Sequence, residues 1–290
     1  MRLKKSLMIS AIALTGVFAL SACTDSGAPT AEETAPAETV EFEAGTTMAK
    51  LNEAGEITIG TKFDQPLFGQ VDASGDPQGF DVEIGKLIAS KLGIPASGIN
   101  WTETVSANRE PFIQSGEVDM VVATYTINDK RKEVISFAGP YYNAGQDILV
   151  LAGNPEGIEG PEDLEGKPVC TVTGSTSETN IAPYGATVTA LGDYAECLPL
   201  LSAGTVVAVT TDNVILAGLA DNSAGEFEVV GNPFTEEPYG IGLAKDDTDF
   251  RMFINDVLEK IYDDGRWADA WEATAGTVLP LPDPPAVDRY

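Results

Sequence analysis

Short apolar segments alternate with segments of helical periodicity along most of this chain. Residues 118–123 are apolar apart from Asp119, as expected of a parallel strand that is buried on both faces. Apolar residues between Asp81 and Leu92 recur at spacings of three and four, which predicts a helix with one apolar face. Alternating strands and helices predict an α/β fold with parallel strands. Further strands are predicted at 57–60, 99–102, 146–151, 169–172, 187–191, 206–210, 227–230 and 239–245, and further helices at 109–115, 175–181, 250–261 and around Trp267 and Trp271.

The first 22 residues have the pattern of an export signal. Basic residues precede an apolar run, 7–20, that is too short for a comfortable membrane span. The run ends in Leu-Ser-Ala-Cys, which resembles a lipobox, in which the cysteine is lipidated and the preceding peptide is removed. We therefore predict a signal peptide at 1–22 and a lipid anchor, such as palmitate, on Cys23; plain secretion is the alternative.

The segment that follows the signal predicts a tether. Residues 23–45 are rich in Ala, Thr, Pro and Glu and contain no Lys or Arg, so they bury too little apolar surface to fold. The folded part is predicted to begin at residue 46, and residues 279–290, with several prolines, form an extended tail. This arrangement places the folded part on the extracellular face of the cell membrane, or facing the periplasm in a cell with two membranes.

The charge balance excludes several classes of partner. The chain has 17 Lys and Arg against 45 Asp and Glu, and no His, for a net charge of −28. Such an acidic protein lacks the basic face that nucleic acid or an anionic membrane surface requires. The absence of His also removes His-dependent catalytic triads and imidazole metal sites. We expect neither a metal nor another cofactor.

Two cysteines remain once Cys23 is assigned to the lipid anchor. In an exported protein, Cys170 and Cys197 are most economically explained as one disulfide bond. A zinc site is improbable with two thiols and no imidazole.

The segment 79–92 resembles a known family signature. Its Gly-Phe-Asp-Val-Glu-Ile run, followed by Ile-Ala and Leu, resembles the signature of bacterial extracellular solute-binding proteins of family 3, which capture polar amino acids. The resemblance implies a two-lobed, type II periplasmic-binding-protein-like fold, in which each lobe is a central sheet flanked by helices and two hinge crossovers join the lobes. Lobe 1 would comprise 46–145 plus 241–278, and lobe 2 would comprise 146–240. It further implies a monomeric binding protein, not an enzyme, that closes on an amino acid and delivers it to an ABC permease.

Lobe 1 contains a candidate clamp for the ligand's α-carboxylate. Thr124, Tyr125, Thr126 and Arg131 follow the apolar run at 118–123, and ligands bind at strand ends in α/β sheets. A guanidinium can form two parallel hydrogen bonds with a carboxylate, and the resemblance assigns that role to Arg131. The family often has Thr where Asn128 stands. A surface Lys-Arg-Lys cluster that caps a helix is the alternative.

Lobe 2 supplies further candidates by the same resemblance. The loop with Thr173, Ser175 and Thr176 opens a helix, and its backbone N–H groups would face the ligand's carboxylate. Asp212 follows a buried strand and would pair with the α-ammonium group. Ordinary helix N-caps are the alternative in both places.

Four residues are candidates for binding the ligand's side chain. Lys62 and Phe63 follow the first strand, while Ser106 and Arg109 precede a short helix in a pattern that resembles the glutamate- and aspartate-binding subset. The resemblance therefore indicates L-glutamate, and perhaps aspartate, as the ligand. A surface ion pair between Arg109 and Glu110 is the alternative for that residue.

Other functions stay open at this point. Glutamine or another polar amino acid is the near alternative to glutamate. Periplasmic dehydratases share the two-lobed fold, but they need a positioned acid–base group, and the chain has neither His nor an evident carboxylate pair at the predicted strand ends. A sensory domain is a third class, which is usually fused to a membrane span and a signalling module.

Overall fold

Two five-stranded sheets with flanking helices organise residues 41–290, the part of the chain that this computed structural model describes. The strands are β1 (Ile57–Thr61), β2 (Asp64–Gln65), β3 (Gly69–Val71), β4 (Pro77–Gln78), β5 (Ile99–Glu103), β6 (Met120–Val121), β7 (Ser136–Ala144), β8 (Gln146–Leu151), β9 (Pro168–Val172), β10 (Thr187–Leu191), β11 (Ala208–Asp212), β12 (Phe227–Val229) and β13 (Glu237–Leu243). The helices are α1 (Thr47–Ala54), α2 (Phe80–Lys91), α3 (Arg109–Ser115), α4 (Asp129–Lys132), α5 (Thr176–Ile181), α6 (Cys197–Ser202), α7 (Asn213–Asp221), α8 (Thr248–Asp263) and α9 (Arg266–Ala273).

The first sheet has the strand order β5-β1-β6-β13-β7, and the second has the order β10-β9-β11-β8-β12. In the first, β1 runs parallel to β5 and β6, whereas β13 runs antiparallel to β6 and β7. In the second, β9 runs parallel to β10 and β11, whereas β8 runs antiparallel to β11 and β12. Both sheets are thus mixed rather than purely parallel, because β8 and β13, the first strands after each passage between sheets, run against their neighbours. The predicted α/β class and two-lobed architecture are confirmed.

The chain passes between the two sheets at Gly145, which separates β7 from β8, and again between β12 and β13. We call the unit around the first sheet lobe 1 and the unit around the second sheet lobe 2. The lobe bounds that the resemblance implies, 46–145 plus 241–278 and 146–240, stay a prediction. Strand β13 already begins at Glu237, so the second passage is complete before residue 241.

An aromatic cluster fixes the helix that carries the signature segment. Phe80, at the start of α2, packs edge-on against Trp267 and Trp271 of α9, with ring centroids 5.5 and 5.1 Å away. The Trp267 indole N–H donates a hydrogen bond to the Tyr141 carbonyl oxygen at 3.0 Å, which ties α9 to β7. Because aromatic pairs in this geometry add to the free energy gained by burying their rings, the start of α2 is held tightly on lobe 1.

Several elements lack a clear sequence signal. The small sheet β2-β3-β4 is made of strands of two or three residues, too short to show an alternating pattern. Helix α7 is apolar on nearly every side because it is largely buried, so its residues show little helical periodicity. The apolar run at 118–123 contains only the two-residue strand β6. Val122 and Ala123 follow the strand and are buried without belonging to it.

A disulfide bond joins Cys170 on β9 to Cys197 at the start of α6, with the two Sγ atoms 2.02 Å apart. Both residues are fully buried and are 27 positions apart in the sequence.

We expect the processed protein, denatured and alkylated without reductant, to show no free thiol at Cys170 or Cys197 by intact mass. The physical reason for retaining the bond is that closing a loop of this size restricts the unfolded chain, which stabilises the fold by about 3–4 kcal/mol in the chain-entropy model. The same sample treated with reductant before alkylation serves as the control and should gain two labels. Two labels without reductant would refute the prediction.

The C-terminal tail lies against lobe 1. The Tyr290 hydroxyl accepts a hydrogen bond from the Phe137 backbone N–H at 2.8 Å, and Arg289 forms ion pairs with Asp256 and Glu259 on α8. Within residues 41–290, no helix is both long enough and apolar enough to cross a membrane. The predicted signal peptide, Cys23 and most of the predicted tether lie outside the described residues.

Candidate functional site

A small cavity of about 10 Å³ lies between the two lobes. Lobe 1 lines it with Gln65, Ser106, Arg109, Thr124 and Thr126. Lobe 2 lines it with Ser175, Thr176, Ser177, Tyr194, Thr211, Asp212 and Ile215. Seven of these residues are among the candidates from the sequence: Ser106, Arg109, Thr124, Thr126, Ser175, Thr176 and Asp212. Most of the residues come from strand ends and from the loops that begin helices, which is why they converge at one edge of each sheet.

Two buried cations lie on the lobe 1 side: Arg109 lines the cavity, whereas Lys62 does not line it but contacts the lining residue Ser106. The Lys62 ammonium donates a hydrogen bond to the Ser106 hydroxyl at 3.0 Å. The Arg109 guanidinium donates to the carbonyl oxygens of Ser106 at 3.3 Å, Ala123 at 3.1 Å and Thr124 at 3.4 Å. Burial, together with the positive charges nearby, lowers the pKa of Lys62 to about 8 and that of Arg109 to about 10. Neutral groups accept all these bonds, so the positive charge is available to an anionic ligand.

Arg109 does not form the surface ion pair with Glu110 that was the alternative from the sequence. Arg109 is only 3% exposed, so it is not a surface residue. Glu110 pairs with Arg131 instead, at 3.0 Å from the guanidinium Nε.

The signature helix holds Thr124, which lines the cavity from lobe 1. The Thr124 backbone N–H donates to the Asp81 carboxylate at 2.7 Å, and the Tyr141 hydroxyl donates to the other oxygen of Asp81 at 2.6 Å. Thr124 has a φ of +43°, a conformation that costs free energy for a residue with a β-carbon. Burial raises the pKa of Asp81 to about 7. Asp81 therefore fixes the turn that presents Thr124 to the cavity.

An acidic group faces the cavity from lobe 2. Asp212 is 4% exposed and ends β11; its Oδ2 accepts a hydrogen bond from the Tyr239 hydroxyl at 2.6 Å. Its Oδ1 is buried and has no hydrogen-bond partner among residues 41–290. Burial, with the neighbouring charge of Glu237, raises the pKa of Asp212 to about 7. A cation placed at Oδ1 would satisfy this oxygen and favour the ionised carboxylate.

The remaining candidates from the sequence lie around the cavity rather than lining it. Arg131 donates to the carbonyl oxygens of Thr126 at 2.8 Å and Gly174 at 3.2 Å, so its guanidinium joins the two lobes. The Tyr125 ring is fully buried beneath the guanidinium groups of Arg109 and Arg131, with their central carbons 4.2 and 4.9 Å from its centroid. Phe63 is half-buried and Thr173 is exposed.

Five lining residues were not expected from the sequence: Gln65, Ser177, Tyr194, Thr211 and Ile215. Thr211 directly precedes Asp212 in β11, so its position was implicit in the strand. Gln65 lies in a two-residue strand, and Tyr194 follows β10 in a loop with no motif of its own, so neither carried a signal.

The two lobes contact each other in this structure. The Tyr194 backbone N–H donates to the Asp64 carboxylate across the cleft at 2.9 Å, and the Thr126 and Thr176 hydroxyls lie 3.4 Å apart. The structure therefore represents a closed arrangement of the lobes.

Gly218 of α7 is expected to be necessary for this closure. A β-carbon at Gly218 would lie 2.5 Å from the Pro66 carbonyl oxygen of lobe 1, which is a steric clash. We expect Gly218→Ala to lower the affinity for every ligand by about 5- to 150-fold, since overpacking costs about 1–3 kcal/mol and is imposed only on the closed form. Calorimetric titration measures the effect, and unchanged affinity would contradict it. Gly192→Ala is the matched control, because a β-carbon there would meet only the flexible Glu196 carboxylate, at 3.4 Å.

Two lobes that close on a small polar cavity, with buried cations on one side and a buried carboxylate on the other, define a binding protein that encloses a small charged ligand. The chain belongs to the bacterial extracellular solute-binding proteins, family 3, whose family model matches residues 57–273. The family resemblance of the signature segment is thereby confirmed.

Individual relatives extend the comparison. The chain is 39% identical to the glutamate-binding protein GluB of Corynebacterium efficiens, over 88% of this chain and 85% of that protein. It is 36% identical to the ABC transporter glutamine-binding protein GlnH of Bacillus subtilis, over 93% of this chain and 97% of that protein. Among solved structures, an ancestral arginine-binding protein bound to glutamine superposes with a TM-score of 0.71 at 35% identity, covering 76% of this chain and 97% of that one.

Proposed function

We propose that this protein is the substrate-binding component of an ABC amino-acid importer and that it captures L-glutamate, with L-aspartate as a weaker ligand. The observation that carries the proposal is the charge arrangement of the cavity. Buried Lys62 and Arg109 lie on one side, and the unpartnered Oδ1 of Asp212 lies on the other. A zwitterionic amino acid with a second carboxylate complements this arrangement, because each of its charged groups meets a group of opposite charge.

The α-ammonium group of the ligand would bind Asp212. An ammonium group at Oδ1 supplies the hydrogen bond that this buried oxygen lacks, and Tyr239 already orients the other oxygen. Removing the negative charge of Asp212 would leave the ammonium buried and unpaired.

The α-carboxylate would lie near the Thr126 and Thr176 hydroxyls, with Arg131 as its cation. Both threonines line the cavity, and Arg131 is bonded to the carbonyl oxygen of Thr126. A guanidinium that turns from the Gly174 carbonyl to a carboxylate exchanges a neutral acceptor for a charged one, which strengthens its hydrogen bonds. The N-terminus of α5, capped by Ser175, contributes backbone donors on the same side.

The side-chain carboxylate would bind the group formed by Lys62, Ser106 and Arg109. In a closed cleft that excludes water, a carboxylate needs a fixed cation nearby, and the two buried cations provide it. Closure of the lobes on the ligand would then present the closed form to a membrane permease. We further propose that Cys23 anchors the protein to the membrane surface as a lipoprotein.

L-Glutamine is the second candidate ligand. Two observations favour it: the B. subtilis relative is named a glutamine-binding protein, and the ancestral structure holds glutamine. A neutral side-chain amide would not make use of two buried cations, which is why glutamate ranks first here. We expect no enzymatic turnover, and in particular none of prephenate-like acids.

Isothermal titration calorimetry of the purified protein against the twenty amino acids tests this proposal. L-Glutamate should bind most tightly, L-aspartate and L-glutamine less tightly, and lysine and arginine not measurably. Tightest binding of glutamine would favour the second candidate, whereas binding of no amino acid would refute the proposal.

A further inference from the structure

We propose that Gln65 is a specificity-determining ligand contact, whose side-chain Nε2 donates a hydrogen bond to an oxygen at the distal end of the bound amino acid. This inference rests on the proposed function and adds to it a neutral donor beside the two cations. It assigns the cavity to amino acids whose side chain ends in a carboxylate or carboxamide.

Gln65 is placed and oriented for this role. It is fully buried in β2 and lines the cavity. Its Oε1 accepts a hydrogen bond from the Thr124 hydroxyl at 2.9 Å, and its Nε2 has no partner among the described residues. A buried donor left without an acceptor costs free energy comparable to a lost hydrogen bond, so a ligand oxygen at this position gains that bond without displacing another.

Thr124 keeps the amide in this orientation. Asp81 holds the Thr124 backbone in its unusual conformation, as described above, so the hydroxyl that Gln65 accepts from has little freedom to move. The Asp81–Thr124–Gln65 series of hydrogen bonds thus runs from the signature helix to the cavity. A donor that is held in place before the ligand arrives loses less conformational entropy on binding than a mobile one.

The bonds of Thr124 also indicate which end of the ligand Gln65 would contact. Thr124 accepts a hydrogen bond from Arg109 through its carbonyl oxygen and donates one to Gln65 through its hydroxyl. Gln65 and Arg109 therefore converge on one side of the cavity. Asp212 ends β11 of the other lobe and lines the cavity from that side. The Gln65 amide and the Arg109 guanidinium together offer only donors, which selects against a ligand side chain that ends in a cation or in methyl groups.

The test compares two variants of Gln65 with two ligands by calorimetric titration of the full protein. Gln65→Glu keeps the shape of the side chain and places a negative charge at the distal end. L-Glutamate should lose about 100-fold or more in affinity through charge repulsion, whereas L-glutamine should lose less than about tenfold, because its amide can donate to the new carboxylate. Gln65→Met removes the donor without adding charge and should weaken both ligands, each by about tenfold.

Gln78→Glu is the matched control. It makes the same substitution at an exposed position, on β4 of the same small sheet, and should leave both affinities unchanged. Equal losses for both ligands in Gln65→Glu would overturn the inference, as would unchanged affinities in Gln65→Met. If Gln65→Glu does not fold, as judged by its thermal unfolding, the Gln65→Met result alone decides.

If the parent protein binds no amino acid, the proposed function fails and this inference fails with it. If the parent binds and the variants do not discriminate as stated, only this inference fails.

Discussion

Asp212→Asn should weaken the binding of every amino-acid ligand by roughly 30- to several-thousand-fold. The substitution keeps the size of the side chain and an oxygen for the Tyr239 hydroxyl, but removes the negative charge that faces the ligand's ammonium group. Leaving that ammonium buried without a counter-charge costs about 2–5 kcal/mol, and the cost is the same whatever the ligand's side chain, since all α-amino acids share the group. Calorimetric titration with L-glutamate and L-glutamine measures both losses.

Asp147→Asn provides the control for this substitution. Asp147 is a buried carboxylate on β8 that pairs in register with Thr211 of β11, but it does not line the cavity. Its conversion to Asn should leave affinity unchanged. A loss confined to one ligand, or no loss in Asp212→Asn, would show that Asp212 does not bind the ammonium group.

Asp212 should also make binding depend on pH. In the empty site, burial raises its pKa to about 7, so below this pH the carboxyl is largely protonated. Binding an ammonium group requires the ionised form and releases the proton, so affinity should rise by up to about tenfold per pH unit as the pH approaches 7 from below, and then level off. The rise should be smaller in Asp212→Asn. Above pH 8 the buried ammonium of Lys62, whose pKa is lowered to about 8 chiefly by burial, loses its charge, and glutamate affinity should fall again.

Arg109→Gln should reduce the affinity for L-glutamate about 100-fold or more while reducing that for L-glutamine less than about tenfold. Arg109 is 3% exposed, and only neutral carbonyl oxygens accept its described hydrogen bonds. Its charge is thus available to a ligand carboxylate in a site that excludes water, where an unpaired carboxylate is costly. The ratio of the two dissociation constants, before and after substitution, is the quantity to measure.

Arg266→Gln is the control for the loss of a positive charge, because Arg266 is paired with Asp264 on the surface. The thermal unfolding of ligand-free Arg109→Gln must also be recorded, since Arg109 packs on the Tyr125 ring. Parallel losses for the two ligands would indicate that Arg109 is structural. No loss for either would place the side-chain pocket elsewhere, with Lys62 the next residue to substitute.

Elements with a strong local pattern were predictable from the sequence. Helix α3 and strand β8 have the predicted bounds, because each combines a clear apolar pattern with a polar or Gly boundary. The family resemblance indicated Arg109 and Asp212 as site residues, and the structure places both at the cavity. Each stands where a strand ends or a helix begins, and those points converge in an α/β sheet.

Features that depend on contacts between residues far apart in the sequence were not predictable. Gln65 enters the cavity because Thr124 holds its amide, and Thr124 is held by Asp81, whose sequence neighbours give no indication of that contact. Tyr194 reaches the site only when its loop meets Asp64 of the other lobe. Arg131 was predicted to line the cavity but does not. In the closed form its guanidinium donates to the Gly174 carbonyl of the other lobe instead.

A crystal structure of the protein with bound L-glutamate would test the account most directly. We predict a closed form in which the ligand's ammonium nitrogen lies within hydrogen-bond distance of Asp212 Oδ1, and its side-chain carboxylate lies within hydrogen-bond distance of the Arg109 guanidinium. A ligand bound in the opposite direction, with its side chain toward Asp212, or bound at another site on the protein, would contradict the account.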